Sequence, residues 1–355
     1  MSVGKSPQWM YKSVVVLVLM LLAGGTVTAQ DPQFSQFYAA PLYLNPAFAG
    51  STGQARVGTN YRNQWPAIDA NFNTISAFAD FYIEQKNSGV GILINKDREG
   101  LLGLQSTSIA LQYSYDLQLV KGLSFRPGFQ AGVYNRSINF DKLTFGDQFD
   151  PNTGQVVSKQ SIEGLNSGQS KFFPDLTMGG LFYSKSGWFG VTAAHITQPD
   201  QSLVGSPDKL PMKISGHGGW KFLLRPGVMG QGFYSKARER SITPTFQYRH
   251  QGQFDQMDLG LYYTLEPLII GTWYRGVPFK QVNGIVNNES IVLLIGFTKK
   301  GEKDILNIGY SYDYTISKLG PASGGAHEFS IVYSWSTRDP RKPPKDKLII
   351  PCPEF

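Results

Sequence analysis

Alternation of apolar and polar residues is the dominant pattern of this chain. Between Ser106 and Leu117, isoleucine, leucine and tyrosine recur at every second position, and mostly polar residues fill the positions between them. The stretch from Leu306 to Tyr314 repeats this arrangement. A period of two predicts β-strands with one apolar and one polar face. Alternation alone leaves open whether the apolar face meets the core of a soluble β-sandwich or the lipid around a membrane barrel.

The same pattern predicts fourteen strands and therefore an all-β fold. Their ranges are 55–65, 73–84, 88–97, 103–117, 122–136, 173–184, 187–197, 210–223, 242–250, 254–264, 267–276, 288–299, 303–314 and 326–336. Connections after odd-numbered strands include the longer 137–172, 198–209, 277–287 and 315–325, whereas those after even-numbered strands are short except for 224–241. Outer-membrane barrels alternate short periplasmic turns with longer outer loops. Loop parity thus favours a transmembrane antiparallel outer-membrane β-barrel over residues 55–336.

The N-terminal residues 1–29 have the pattern of a secretory signal peptide. Lys5 and Lys12 precede an apolar run over 14–23, and a small-x-small motif predicts cleavage between Ala29 and Gln30. The run is too short to span a bilayer as a helix, which needs about 20 residues. We therefore expect the protein to leave the cytoplasm.

Composition narrows the function further. The chain has a single cysteine, so no intramolecular disulfide supports its fold, and a closed barrel needs none. Lysine and arginine are scattered despite the pI of about 9.2, which argues against a nucleic-acid partner. No histidine has metal-ligand spacing to another, and no nucleophile elbow or phosphate loop is present. We therefore predict no metal, no cofactor and no enzymatic activity.

Residues 30–54 are too apolar for a free segment before the first strand. We expect them to fold into the barrel mouth as a plug, with a turn at Asn45, Pro46 and Ala47; a loop packed beneath the barrel is the alternative. Tryptophans near strand ends predict aromatic girdles at the membrane surface; these are Trp188, Trp273 and Trp335.

Two segments are candidates for binding partners. The 137–172 loop is longer than a hairpin needs, and its aromatic and acidic residues predict a partner surface unless the rings fold over the lumen. Its candidates are Phe145, Asp147, Phe149, Asp150, Asn152 and Phe172. The basic, proline-rich tail over 337–355 is either a disordered remnant or a peptide that docks on a periplasmic partner. Its candidates are Arg338, Arg341, Lys342, Lys345 and Phe355.

Several motifs carry a family resemblance. The segment QDPQFSQFYAAPLYLNPAFAG, the pair DLGLYY and GTWYRG, and the stretch GYSYDYTISKLGPASGGAHEFSIVYSW resemble the PorP/SprF family of type IX secretion and gliding proteins, and FGDQFD is a weaker match. The resemblance implies an outer-membrane barrel of a Gram-negative bacterium, in contact with lipid. It also implies two protein partners, the C-terminal domain of a secreted, adhesin-like surface protein and the periplasmic type IX ring.

A second resemblance supports a rival function. The Asn45-Pro46-Ala47 turn is similar to that of long-chain fatty-acid transporter barrels, in which an N-terminal segment enters the lumen. This alternative is a passive transporter of a small hydrophobic ligand.

Overall fold

A computed structural model provides the structure of the chain. It describes residues 31–100, 103–138, 148, 150, 153, 155–156, 169–203, 207–225, 238–282, 285–337 and 348–353. Residues Pro32–Phe355 form one compact unit, which contains every strand reported below. Among the described residues, no helix is both long enough and apolar enough to cross a membrane.

Sixteen strand segments form one antiparallel sheet. They are β1 Ala55–Gln64, β2 Phe72–Ile83, β3 Ser88–Glu99, β4 Leu104–Tyr115, β5 Leu117–Val120, β6 Leu123–Ile138, β7 Gln169–Ser184, β8 Gly187–Ala194, β9 Lys213–Trp220, β10 Phe222–Arg225, β11 Arg240–Gln251, β12 Phe254–Leu265, β13 Leu268–Val282, β14 Ile285–Lys300, β15 Asp304–Thr315 and β16 Ala326–Trp335. The helical elements are one α-helical turn, Pro41–Leu44, and 3-10 turns at Pro46–Phe48, Glu84–Lys86 and Pro321–Ser323.

The sheet closes into a barrel of fourteen strands. A single residue separates β4 from β5, and a single residue separates β9 from β10, so each pair of segments is one interrupted strand. The sixteen segments therefore form fourteen strands around the barrel. β1 pairs with β16, with Ala55 opposite Trp335, and β9 pairs with β11. Closure leaves no unpaired sheet edge. The predicted fourteen-stranded antiparallel barrel is confirmed.

The apolar face of the strands points outward. On β4, Ile109 and Leu111 are 52% and 66% exposed, whereas the neighbouring Ser108 and Gln112 are buried. A soluble sandwich would show the reverse, because its apolar face forms the core. An apolar exterior around a polar interior is the arrangement of a membrane barrel.

The two ends of the barrel differ in their connections. We call the end at which Ala55 and Trp335 pair the terminal end, and the opposite one the loop end. Connections at the terminal end are mostly short, such as 185–186 and 266–267, apart from 226–239 between β10 and β11. The loop end carries the longer connections 139–168, 195–212 and 316–325. The predicted loop parity therefore holds, including its exception.

One predicted loop is wrong. Residues 277–287 belong mostly to a long β13–β14 hairpin, in which only 283–284 separate the strands. Gly276 and the residues around it have the composition of a turn. In the structure, however, β13 continues to pair with β14 through this stretch, with register shifts at Arg275/Gly276 and Val277/Gln281.

Candidate functional site

The N-terminal residues 32–50, here called the lumen segment, contact the inner wall of the barrel on several sides. The backbone N–H groups of Ser35 and Gln36 donate to the Glu328 carboxylate on β16 at 2.7 and 2.9 Å. Farther along, Gln112 on β4 donates to the Leu42 carbonyl at 2.8 Å. The segment lies within the barrel interior rather than beneath it. Closure of the barrel to solutes, which the predicted plug requires, stays a prediction.

The segment runs from the loop end to the terminal end. Near its start, Gln33 donates to Glu289 at 3.0 Å and accepts from Arg249 at 2.8 Å, and both partners lie toward the loop end of their strands. At its end, the Gly50 N–H donates to Asp80 at 2.7 Å, near the terminal end of β2. The chain thus traverses much of the lumen before β1 begins.

Asn45, Pro46 and Ala47 form a turn within the lumen segment. The Asn45 side chain accepts a hydrogen bond from the Ala47 N–H at 2.9 Å and caps the following 3-10 turn. Its amide also donates to the carbonyls of Gly180 and Val191, at 3.2 and 3.1 Å. The turn is therefore fastened to β7 and β8 by the asparagine.

Glycine makes room for this turn on the barrel wall. A Cβ atom added at Gly179 would lie 2.1 Å from Asn45 Oδ1, and one added at Gly128 would lie 2.2 Å from the Ala47 nitrogen. Real Cβ contacts are never this short, so the wall must lack side chains here. Clustered glycines on neighbouring strands were the sequence signal for the close approach.

A buried charge network surrounds Ser35 in the loop half of the lumen. Asp313 accepts hydrogen bonds from Arg62, Arg275 and Ser35 at 2.7–2.8 Å. Arg62 and Arg275 also donate to the Ser35 hydroxyl, at 2.7 and 2.9 Å, and Arg275 pairs with Asp258 at 2.8 Å. These side chains are almost wholly buried. The network holds the lumen segment through its smallest polar side chain.

A second polar set holds the end of the lumen segment. Arg126 on β6 donates to the carbonyls of Ala47 and Ala49 at 3.1 and 2.7 Å, and Ser114 donates to the Ala49 carbonyl at 2.7 Å. These strand residues satisfy backbone groups that the irregular segment leaves unpaired inside the barrel.

An apolar cluster occupies the terminal half of the lumen. The lumen segment contributes Phe37, Tyr38, Leu42 and Phe48, among others. The strand residues in the cluster are Phe78, Leu93, Leu181, Tyr183, Trp188, Tyr262, Ile269, Trp273, Val292, Leu294 and Val332. Burial of apolar surface here stabilises the segment by about 25 cal/mol for each Å².

The predicted aromatic girdle is wrong for two of its three tryptophans. Trp188 and Trp273 are 4% and 2% exposed and face the lumen, where the Trp188 indole donates to the Tyr38 hydroxyl at 2.9 Å. Trp335 stacks with Tyr333, whose side chain is exposed on the outer face. Strand alternation groups residues by face, and these two tryptophans belong to the inner one.

Few of the predicted partner residues are described. Phe172 on β7 is 72% exposed, and the Asp150 N–H donates to the Gln155 carbonyl at 2.9 Å in the long loop. The remaining candidates lie outside the described residues; they are Ala29, Gln30, Phe145, Asp147, Phe149, Asn152, Arg338, Arg341, Lys342, Lys345 and Phe355. The two predicted binding segments therefore stay predictions.

The last described residues differ from a solvated tail. Ile350 is 4% exposed and belongs to the apolar cluster of the lumen, and Leu348 and Cys352 pack against that cluster. The prediction that the tail docks on a periplasmic partner stays a prediction, but residues 348–353 dock on the barrel itself here.

The four histidines occupy polar sites without converging. His195 pairs with Asp175 at 3.0 Å and His250 with Asp255 at 2.7 Å. His217 lies near Asn45 and stacks on Phe48, and Nδ1 of His327 lies 2.9 Å from the Tyr310 hydroxyl. No group of three or more histidine, cysteine, aspartate or glutamate side chains among the described residues has the geometry of a metal site.

Comparison with known proteins identifies the family. Residues 26–333 match the family described as type IX secretion system membrane protein PorP/SprF. No curated protein matches the chain.

Solved structures similar to this chain are outer-membrane barrels. A Pseudomonas aeruginosa FadL homologue is 10% identical, with 90% of this chain and 97% of that one covered at a TM-score of 0.43. The CymD monoaromatic hydrocarbon channel is 11% identical, with coverage of 85% and 93% and a TM-score of 0.41. Omp33 of Acinetobacter baumannii is 6% identical, with coverage of 81% and 99% and a TM-score of 0.35.

The family match spans most of the chain, and the closed barrel has an apolar exterior. The chain belongs to the PorP/SprF family of type IX secretion system membrane proteins and lies in the outer membrane of a Gram-negative bacterium.

Proposed function

We propose that this barrel is a non-enzymatic holder that binds the C-terminal domain of a secreted, adhesin-like surface protein at the cell surface. One observation carries the proposal: the lumen segment runs inside the barrel and is hydrogen-bonded to opposite sides of its wall, to Glu328 on β16 and to the Val191 carbonyl on β8. A chain segment inside the barrel favours binding at the outer surface over passage of a ligand through the lumen. The transporter alternative requires an open path that this packing opposes.

Loop lengths support an orientation for the barrel. Outer-membrane barrels have short periplasmic turns and longer outer loops. The terminal end carries most of the short connections, so we assign it to the periplasm and the loop end to the cell surface. Under this assignment the 139–168 connection is available to a secreted protein.

Phe172 is the described residue that best fits a partner surface. Its ring is 72% exposed, and it lies opposite Asn135, whose amide donates to Ser170. An exposed aromatic ring among polar neighbours is typical of an interface, where aromatic residues are enriched. The neighbouring Phe173 instead faces inward and stacks on Tyr134.

The test is co-purification from detergent-solubilised outer membranes with a tagged full-length chain. We expect a secreted type IX surface protein to co-purify, and Phe172→Ser to reduce its recovery severalfold. Leu319→Ser is the matched control. Leu319 is 43% exposed in the loop between β15 and β16, at the same end of the barrel but about half way around it from β7. Heat-dependent electrophoretic mobility verifies that each variant is folded. Equal recovery with both variants, or no surface protein with any form, refutes the proposal.

On the periplasmic side, we propose that the C-terminal tail binds the type IX ring. The basic residues Arg338, Arg341, Lys342 and Lys345 follow the last strand at the terminal end, which faces the periplasm in the proposed orientation. Loss of ring components from the co-purified material after neutralisation of these four charges would support this contact; unchanged recovery of the ring would exclude it.

A further inference from the structure

Most of the C-terminal residues Leu348–Pro353 are buried or half-buried, as in a bound peptide. Ile349 is 46% exposed, whereas the adjacent Ile350 is 4% exposed, and Pro351 and Pro353 are also buried. Leu348 and Cys352 pack against the apolar cluster of the lumen. Ile349 is therefore the one exposed side chain of the segment, and the other side chains are buried or half-buried.

The receiving surface is built jointly by the wall and the lumen segment. The cluster that contains Ile350 includes Tyr38 of the lumen segment and, from the strands, Tyr262, Ile269 and Leu294. Ile269 and Tyr262 lie at the terminal end of β13 and β12, which is also where β16 ends. Cys352 packs against the same cluster, so the segment contacts a surface to which both the wall and the lumen segment contribute.

The composition of the segment suits this kind of binding. Proline fixes its own backbone torsion and lacks an N–H group, so the two prolines lower the entropy lost on docking without leaving buried donors unpaired. The affinity then rests mainly on the burial of Ile350 and its apolar neighbours. Burial of one such side chain contributes about a ten- to hundred-fold preference for the docked state.

We propose that the terminal end of the barrel contains a binding site for an extended, apolar, proline-containing peptide, occupied by the chain's own residues Leu348–Pro353. The site is separate from the proposed cargo surface at the loop end. A partner that grips these residues must first withdraw them from the barrel, whereas the basic stretch before them is not part of the site.

Cys352 provides a reporter for the docked state, because it is the one cysteine in the sequence. In the purified full-length barrel, we expect a maleimide to label it at least tenfold more slowly than in the urea-unfolded chain. Ile350→Asp should bring the rate close to that of the unfolded chain, and Ile349→Asp, the matched control at the exposed neighbour, should leave it unchanged. Equal labelling of folded and unfolded wild type overturns the proposal without any variant.

A peptide added in trans tests the site itself. A fluorescent peptide with the sequence of residues 348–353 should bind the Ile350→Asp chain, whose own segment has left the site. It should not bind the wild type at micromolar concentration, because a tethered segment competes at a local concentration of about 1 mM. The same peptide with aspartate at the Ile350 position is the negative control. The site does not exist if the two peptides bind equally. It also does not exist if neither peptide binds to an Ile350→Asp chain that keeps the heat-dependent electrophoretic mobility of a folded barrel.

Discussion

Arg275 is held inside the barrel by two carboxylates and one hydroxyl. Its guanidinium pairs with Asp258 and Asp313, each at 2.8 Å, and donates to Ser35 at 2.9 Å. Removal of one partner from a buried ion pair is strongly destabilising, because the remaining charges stay buried without compensation. The network therefore couples the lumen segment to the stability of the wall.

We predict that Arg275→Met lowers the free energy of unfolding by about 3–5 kcal/mol. The measurement is urea unfolding in lipid vesicles, followed by heat-dependent electrophoretic mobility. Arg98→Met is the control, since Arg98 is an exposed arginine at the loop end of β3, and it should change stability by less than about 0.5 kcal/mol. If the two variants were equally stable, the network would not support the fold.

The glycine beneath the Asn45 turn gives a second prediction at this scale. Gly179→Ala places a methyl group 2.1 Å from Asn45 Oδ1, so the turn must move, and such overpacking costs about 1–3 kcal/mol. Gly216→Ala is the matched control, because its added Cβ would meet only one atom, at 3.9 Å. Thermal unfolding of both variants compares them directly; an equal loss of stability would mean that the turn does not press on the wall.

At the scale of elements, the strand pattern was readable from sequence because each strand repeats one rule. Polar residues such as Asn307 and Ser311 face inward, and apolar residues such as Ile308 face the lipid. The hairpin over 277–287 escaped prediction because its register shifts break that alternation. The composition of these residues is typical of a loop, whereas in the structure the pairing of β13 with β14 continues through them.

The connection 195–212 is fastened to β7 by an ion pair between Asp200 and Lys171. Hydrogen bonding from Lys171 holds the pKa of Asp200 at about 2, below its usual 3.8, with help from the N–H groups of Asp208 and Ser202. Because the pKa is lower in the folded loop, these contacts stabilise it fully above the usual value and are lost as the pH falls toward 2.

We predict that amide protection at Ser202 and Asp208, measured by hydrogen exchange, stays constant from pH 7 to pH 5. Lys171→Met removes the main cause of the lowered pKa, so protection should be lost at a higher pH, closer to 3.8. Asp200→Ala should abolish the protection at every pH. Identical acid profiles for Lys171→Met and the wild type would show that the lysine does not hold the loop.

On the scale of the whole molecule, the lumen segment contacts barrel residues that lie far from it in the sequence. Ser35 and Glu328 are hydrogen-bonded across 293 positions of the chain. Alternation placed Glu328 on a polar face, but no sequence spacing indicated that Arg62, Asp313 and Glu328 meet around one serine. The polar network around Ser35 therefore depends on closure of the barrel, because closure determines which lumen-facing residues are neighbours.

Occlusion by the lumen segment is the property of the whole molecule that conductance can test. We expect the wild type to show no steady ion current in planar bilayers, because the lumen segment makes polar contacts in the loop half of the interior and apolar contacts in the terminal half. A variant with residues 33–44 replaced by a Gly/Ser stretch of equal length keeps the Asn45 turn and its contacts with Arg126. It should conduct ions, since a flexible polar chain does not bury the lumen wall.

Two controls separate occlusion from damage to the barrel. The replacement variant must retain heat-dependent mobility, and Phe172→Ser, which alters only the exterior, must remain non-conducting. If the wild type already conducts as well as the replacement variant, the lumen segment is no barrier and the transporter function becomes the better hypothesis. If only the replacement variant conducts, the segment is the plug, and cargo must then be held at the surface rather than passed through this chain.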